Sequence, residues 1–438
     1  MEGRKSDLPL GANFEDWKKR YDVVSPSAAA VQTAFAGADG TYLTDVDGRV
    51  YLNFSDTACT VGARNQRVVE AVKAALDSGG VSKCRPSPEQ LALMEKVREV
   101  AFPVVPDAHF IFTNSGAHAN ESAMMLARSY TRKSMLISYA GGHYGAHLGS
   151  LALSAFRSSG WRYVQPLVPG VVHVPYPYCY RCPFGRTYPG CDLACLDYVR
   201  YTLHTVAHPE EVAAIFIEPI AQKCGVVSPP EGYLPGLRRL CQEHDILLVA
   251  NEVATGIGRT GRMFAMEHWD TEADIMCLGK AFANGLPMAG VVAPGEITRN
   301  SHARISPGTF GANRVCCTSA LATLTEIQEQ HLLRNASQVG EHALQRFREM
   351  AAAHPLIGDV RGKGVFWGIE VVKDRETKEP AAAEAKAVEA EAFQRGLKLV
   401  VIGLYGNVIR LTPPLSVSQD EVDQAIAILE EAFTAVGA

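Results

Sequence analysis

The sequence predicts an α/β protein, with a mostly parallel sheet covered by helices on both faces and a smaller α+β unit after it. Three observations lead there. Between residues 108 and 294 short apolar strands alternate with helical stretches, the pattern of a sheet buried on both sides. After about residue 320 the alternation gives way to long helices and a few strands. The chain, at 438 residues and 47.3 kDa, also exceeds what one core usually organises. The expected division is an N-terminal segment (1–65) packing with the small domain, a large domain (66–318) and a small C-terminal domain (319–438).

The elements follow in order. Residues 41–54 (TYLTDVDGRVYLNF) alternate apolar and polar around Asp47-Gly48, which is a hairpin signal. Residues 66–77 read as an amphipathic helix stopping near Gly79-Gly80. The next helix opens with Ser87 as N-cap, Pro88 at the first helical position and Gln90 placed for a capping box. Apolar strands are expected at 109–113 (HFIFT), 134–138, 213–218, 246–250, 274–279 and 289–294, with a helix over 234–244. Then come a helix over 320–350, a strand at 365–372, a helix over 382–395 and strands near 397–401 and 407–412. The last helix begins at a capping box of Ser418 with Glu421.

Composition narrows the function. Hydrophobic residues at 47% supply enough apolar surface to exclude disorder as the main state. A net charge of −5 argues against a polyanion-binding surface. No apolar run approaches the roughly 18 residues of a membrane span, and the N-terminus (MEGRKSDLPLGANF) lacks a signal-peptide stretch. The expectation is a soluble, cytoplasmic protein with small-molecule partners, no nucleic acid and no membrane. The 11 cysteines read as reduced thiols in that setting. Cys179, Cys182, Cys191 and Cys195 form C-x2-C and C-x3-C pairs, and four thiolates would suit zinc. The plainer reading is a Pro/Gly/Tyr-rich excursion with packed thiols, and no metal is expected. Trp161, Trp269 and the tyrosines at 176–180 read as packing or pocket walls, and the acidic run in 383–391 as a solvated helix face.

Ligands of such sheets bind beyond the carboxyl ends of the strands. Strand 109–113 is followed by Asn114-Ser115-Gly116-Ala117-His118 and then a helix. A small-residue turn feeding a helix N-terminus presents free N–H groups and a positive dipole end, suited to a phosphate. It is not a Walker A loop, because no Gly-Lys-Ser/Thr follows. Strand 274–279 is followed by Lys280. A partly buried lysine has a lowered pKa, and its free amine attacks carbonyls.

These stretches combine in family order. From about residue 40 to its end the chain resembles the class III, fold-type I aminotransferases, which use pyridoxal phosphate (PLP). The stretches that carry the likeness are TNSGAHANESAMMLAR, FIEPI, PPEGYLPGLRRLCQEHDILLVANEVATGIGRTGRMFAMEH, CLGKAFANGLPMAGVV, TFGANRVCCTSALATL, DVRGKGVFWGIEVVKDRETKEP and VIRLTPPLSV. The resemblance implies a three-layer α/β/α fold and a homodimer. It implies that Lys280 forms the Schiff base with PLP and shuttles protons. It also implies that Ser115, Gly116 and Ala117 hold the phosphate, with Thr309 reaching it from the neighbouring subunit. Val253 would pack on the ring, Glu218 would lie near cofactor or substrate, and Arg410 would receive a substrate carboxylate, for which a guanidinium fork is suited.

The chain departs from that family around the cofactor. Asn251 stands where the family has an aspartate that keeps the pyridine nitrogen protonated. A neutral amide can only hydrogen-bond there, donating to an unprotonated nitrogen. Ala254 replaces a glutamine, His118 a glutamate, and Ala63-Arg64-Asn65-Gln66 a Gly-His-x-His-Pro-like turn. His143-Tyr144-Gly145 inverts the usual aromatic-His-Gly, so His143 would stack on the ring with Tyr144 beside it at the cofactor. GRTG (258–261) reads as a turn that shapes the site. Three functions compete: amine transfer between an amino acid or amine and an oxo acid, which is the first reading; a related reaction such as racemisation, epimerisation, decarboxylation or elimination; or a catalytically silent scaffold. Retention of Lys280, Ser115, Thr309 and Arg410 together argues against the last.

Overall fold

A computed structural model describes residues 33–80, 86–101, 107–156, 162–303 and 305–437, with 14, 17–19 and 21. Most of residues 1–32, and Trp161, lie outside the described residues. Strands β1 (Phe35–Asp39), β2 (Tyr42–Asp45) and β3 (Val50–Asn53) form an antiparallel meander. Its Asp47-Gly48 turn is held by Asp45, whose carboxylate accepts the Asp47 and Arg49 N–H groups at 3.0 and 2.8 Å. Helix α1 (Gln66–Asp77) is capped by Asn65, which accepts the Val68 N–H at 3.2 Å. At α2 (Pro88–Ala101) the capping box closes as expected: the Ser87 N–H donates to Gln90 and the Gln90 N–H to Ser87, both at 3.3 Å.

The central sheet contains β4 (His109–Thr113), β5 (Met135–Ala140), β6 (Val171–Pro175), β7 (Val212–Ile217), β8 (Leu247–Asn251), β9 (Ile275–Leu278) and β10 (Ala289–Ala293), in the order β4-β10-β9-β8-β7-β5-β6. Only β10 breaks the parallel run. Every residue of β7, β9 and β10 is buried, which is why these segments are continuously apolar. Helices α3 (Gly116–Thr131), α4 (Leu148–Leu153), α5 (Ala194–Thr205), α6 (Gln222–Gly225), α7 (Tyr233–Glu243) and α8 (Gly295–Asn300) alternate with the strands. β6, absent from the expected strands, is an edge strand ending in a proline.

The expected helix over 320–350 is two helices, α9 (Arg314–Glu329) and α10 (Leu332–Ala353). They part at His331, whose φ of 53° is left-handed. No glycine or proline marks that break. The domain boundary expected at 319 falls inside α9. The remainder comprises β11 (Ile357–Lys363), β12 (Phe366–Val371), α11 (Ala382–Gln394), β13 (Leu397–Lys398), β14 (Val400–Ile402), β15 (Val408–Leu411) and α12 (Gln419–Gly437). Strands β11, β12, β15 and β14 form an antiparallel sheet, while β13 pairs in parallel with β3. One buried cluster joins Phe110 and Leu278 of the central sheet to Trp367, Ile409 and Leu429. The Ser418–Glu421 box opens α12 at 2.8 and 3.1 Å. Among the described residues no helix is long and apolar enough to cross a membrane.

Candidate active site

The topology gathers the site. Because β10 is antiparallel to both β4 and β9, those two strands are parallel to each other, and β9, β8, β7 and β5 are parallel in turn. Five carboxyl ends therefore open on one edge of the sheet. Ser115–Ala117 follow β4, His143 and Tyr144 follow β5, Glu218 follows β7, Asn251 ends β8 and Lys280 follows β9.

Ser115 is the N-cap of α3, and its Oγ accepts the His118 N–H at 3.2 Å. The first-turn N–H groups of a helix have no preceding helical carbonyl to bind, and in this 16-residue helix they sit at the positive end of the dipole. Val253, on the loop after β8, wedges against this turn. A Cβ on Gly116 would lie 2.6 Å from Val253 Cγ1, and one on Gly279 would lie 3.2 Å from the same atom. Glycine at 116 and 279 thus lets three strand-end loops meet. Gly116→Ala is expected to cost about 1–3 kcal/mol through overpacking and to weaken cofactor retention. Val253→Ala in the same chain should recover most of both. Thermal unfolding and cofactor titration check this, and a Gly116→Ala protein with unchanged affinity would remove Val253 from the argument.

Lys280 has a φ of 42°. Left-handed backbone at a non-glycine residue stores of order 1–3 kcal/mol and is found where function holds it. Its Nζ donates to Gln222 Oε1 at 3.2 Å. Burial pulls its pKa down, with Glu218 opposing and Arg410 and Lys223 reinforcing the shift. Glu218 is 2% exposed, and burial pushes its carboxyl up against the pull of the His143 N–H and of Lys280. Its Oε1 accepts the His143 N–H at 2.8 Å and its Oε2 the Gln222 N–H at 3.3 Å. Gln222, which nothing in the sequence had marked, is thus the link between Glu218 and the amine.

The half-buried His143 ring has an Nδ1 without a partner among the described residues. Burial, with Lys280 and Lys223, pulls its pKa down to about 4, so the imidazole is neutral near pH 7. Tyr144 is a correction. It is not at the site surface: its ring is 2% exposed in the core, with the hydroxyl donating to the Phe216 carbonyl at 2.9 Å. The tyrosine thus packs into the core, while the preceding histidine stays half-buried at the end of β5. Asn251 Nδ2 donates to the His143 carbonyl at 3.1 Å, and its Oδ1 accepts the Val253 N–H at 3.3 Å. Glu252 is turned away, with one oxygen bonded to Thr255 and the other accepting the Met266 N–H at 2.9 Å.

Arg410 lies on β15, 7% exposed, with Nη2 donating to the Ser55 carbonyl at 2.6 Å and Nε without a partner among the described residues. Beside it stands Arg259, fully buried, which donates to the Pro413 carbonyl and whose Nε and Nη2 have no partner among the described residues. Burial pulls both guanidinium groups down to about 10 while the Asp56 carboxylate opposes it, so both stay charged. GRTG does close a turn, the Gly261 N–H donating to the Gly258 carbonyl at 2.9 Å. The sequence reading had not foreseen its arginine as a second buried cation. Thr309 is exposed on a turn whose Gly308 approaches the start of α3, a Cβ there lying 3.6 Å from the His118 ring. The four clustered cysteines are free thiols lining one narrow cleft with Pro177, Pro183 and Pro230. Among the described residues no group of His, Cys, Asp or Glu is placed to hold a metal ion.

The residues present fit PLP: an amine of lowered pKa, a helix N-terminal turn suited to an anion, a neutral ring at His143 and buried guanidinium donors without partners among the described residues. The Aminotransferase class-III profile matches residues 23–433. The leucine/methionine racemase of Thermococcus litoralis is 36% identical over 437 residues, covering 96% of each chain. The isoleucine 2-epimerase of Lentilactobacillus buchneri is 37% identical over 436 residues, covering 98% of this chain and 96% of its own. A PLP-bound amine transaminase from an uncultivated Pseudomonas species superposes with a TM-score of 0.87 at 27% identity, over 94% of this chain and 97% of that one. The chain belongs to the class III aminotransferases, PLP enzymes of fold type I.

Proposed function

We propose that this chain moves the α-proton of a carboxylate-bearing amino acid, with Lys280 as the proton carrier, and that its outcome is inversion at the α-carbon. The observation that carries the proton chemistry is the buried Lys280 amine, with a lowered pKa and held by Gln222 at the meeting of five strand ends. PLP bound there withdraws electrons from the carbon bearing the substrate amine and so acidifies its proton. Ser115, Gly116 and Ala117 hold its phosphate, Thr309 of the partner subunit completes that cup in a cytoplasmic homodimer, and Lys280 anchors it covalently. Val253 and His143 flank the ring, Asn251 meets its pyridine nitrogen, and Glu218 holds the His143 loop through its N–H. Arg410 takes the substrate carboxylate as a fork.

Inversion is supported by the racemase and epimerase among the relatives and by the lack of a carboxylate at position 251, which weakens electron withdrawal. Amine transfer to an oxo acid is the second reading, favoured by the transaminase likeness. Single enantiomers incubated with the PLP-loaded protein in D2O, with and without a 2-oxo acid, decide between them. Inversion predicts the opposite enantiomer carrying α-deuterium without stoichiometric oxo acid. Oxo acid formed in step with donor loss would give the second reading, and no change with any amino acid would sink both. A pH series tests the lowered amine: the rate at which the apoprotein gains its visible band with PLP should rise through a midpoint below the usual lysine value of about 10.4. A midpoint at that value would contradict the burial argument.

A further inference from the structure

The carboxamide of Asn251 has only one workable orientation. Its oxygen faces a backbone N–H, that of Val253, and its nitrogen faces a backbone carbonyl, that of His143. A backbone N–H only donates and a backbone carbonyl only accepts. Turning the amide over would set donor against donor and acceptor against acceptor, in a side chain 3% exposed, where water cannot relieve the mismatch. The oxygen is turned back along its own chain, while the NH2 is on the side of the His143 loop. One of its two hydrogens goes to the His143 carbonyl and the second remains to be donated.

No neighbouring acid takes over the part of the missing carboxylate. Both oxygens of Glu218 accept backbone N–H groups, from His143 and Gln222. Both oxygens of Glu252 are turned onto Thr255 and Met266. The His143 imidazole, lowered by burial and by Lys280 and Lys223, is neutral and supplies no negative charge either.

We infer that the Asn251 carboxamide donates its second N–H to the cofactor's pyridine nitrogen, so that this chain holds the ring with that nitrogen unprotonated. The inference rests on the assignment of PLP to this site and deepens it. A ring without the pyridinium charge delocalises the electrons of the broken C–H bond less. The proton then returns preferentially to the carbon it left and not to the cofactor, which disfavours amine transfer; inversion results where it is delivered to the face opposite the one it left.

The test is the 15N NMR shift of ring-labelled PLP bound to the full-length protein. The expected signal for the native chain lies at the position of an unprotonated pyridine and stays there across the neutral pH range. In Asn251→Asp it should move upfield to the pyridinium position. A native signal at the pyridinium position would overturn the inference even if the variant failed to fold, because the native spectrum decides alone. Absence of any bound label or visible band would instead overturn the cofactor assignment beneath it. The absorbance spectrum gives a second readout: its band should change position in Asn251→Asp with the same PLP content, and an unchanged spectrum would count against the inference.

Discussion

Lys280→Ala should lower turnover by about 10⁴-fold or more, the upper range for a positioned proton-transfer group, with the covalent role lost as well. The amine stands at the carboxyl end of β9 with Gln222 as its hydrogen-bond partner, and an amide cannot take a proton at neutral pH. On the loop after β5 the His143 ring is pulled down to about 4 by burial and by Lys280 and Lys223, which makes it a weak base there. The variant should still bind PLP, since the turn Ser115–Ala117 and Val253 are untouched, but as a free aldehyde with a shifted visible band. Alanine also carries a Cβ, so the left-handed backbone at 280 is equally strained in the variant, and unfolding should stay close to that of the native chain. Residual turnover above about a hundredth of native, a hundredfold effect being the low end for such a group, would mean another group carries the proton.

Glu370→Ala should destabilise the protein by about 3–5 kcal/mol, the usual cost of leaving a buried charge uncompensated. Glu370 is fully buried on β12. It meets Arg361 at 2.7 Å, together with Arg181 and the Tyr178 hydroxyl. This cluster ties the segment 178–181, which leads out of β6, to the C-terminal sheet. Burial alone would raise the Glu370 pKa, but Arg361, Tyr178 and Arg181 together outweigh it and hold the carboxyl below its usual range. A depressed carboxylate pKa contributes stability that is present above the unfolded value and lost as pH falls through the folded value. Acid should therefore erode native stability more steeply than that of Glu370→Gln, which keeps hydrogen bonds but not charge. Urea unfolding at neutral and acidic pH measures both effects, and equal pH slopes in the two proteins would exclude Glu370 as the titrating group.

Local features were legible in the residues alone. The capping boxes at Ser87–Gln90 and Ser418–Glu421 and the Asp47-Gly48 turn involve groups two to four positions apart, so the sequence contains both partners side by side. Six of the seven strands of the central sheet were legible because burial on both faces demands unbroken apolar runs; β6, at the edge and mostly half-buried, was not. β11 was not, since its residues after Ile357 are only half-buried and carry glycine and charge. Nor was the break at His331, where the backbone turns left-handed without a glycine to mark it.

The sequence by itself determined the α/β class, the order of most elements, the family resemblance and the positions of Lys280, Ser115 and Asn251. Tertiary structure alone decided what those residues touch. That Gln222 binds the Lys280 amine, that Tyr144 packs into the core while His143 stays half-buried at the end of β5, that Arg259 stands beside Arg410, and that Asn251 presents a donor all depend on groups from separate strands. The physical reason is that hydrogen-bond direction and desolvation are set by which strand ends the sheet brings together. β10, antiparallel to both of its neighbours, joins β4 to β9 across more than 160 residues of chain, and no local pattern contains that pairing.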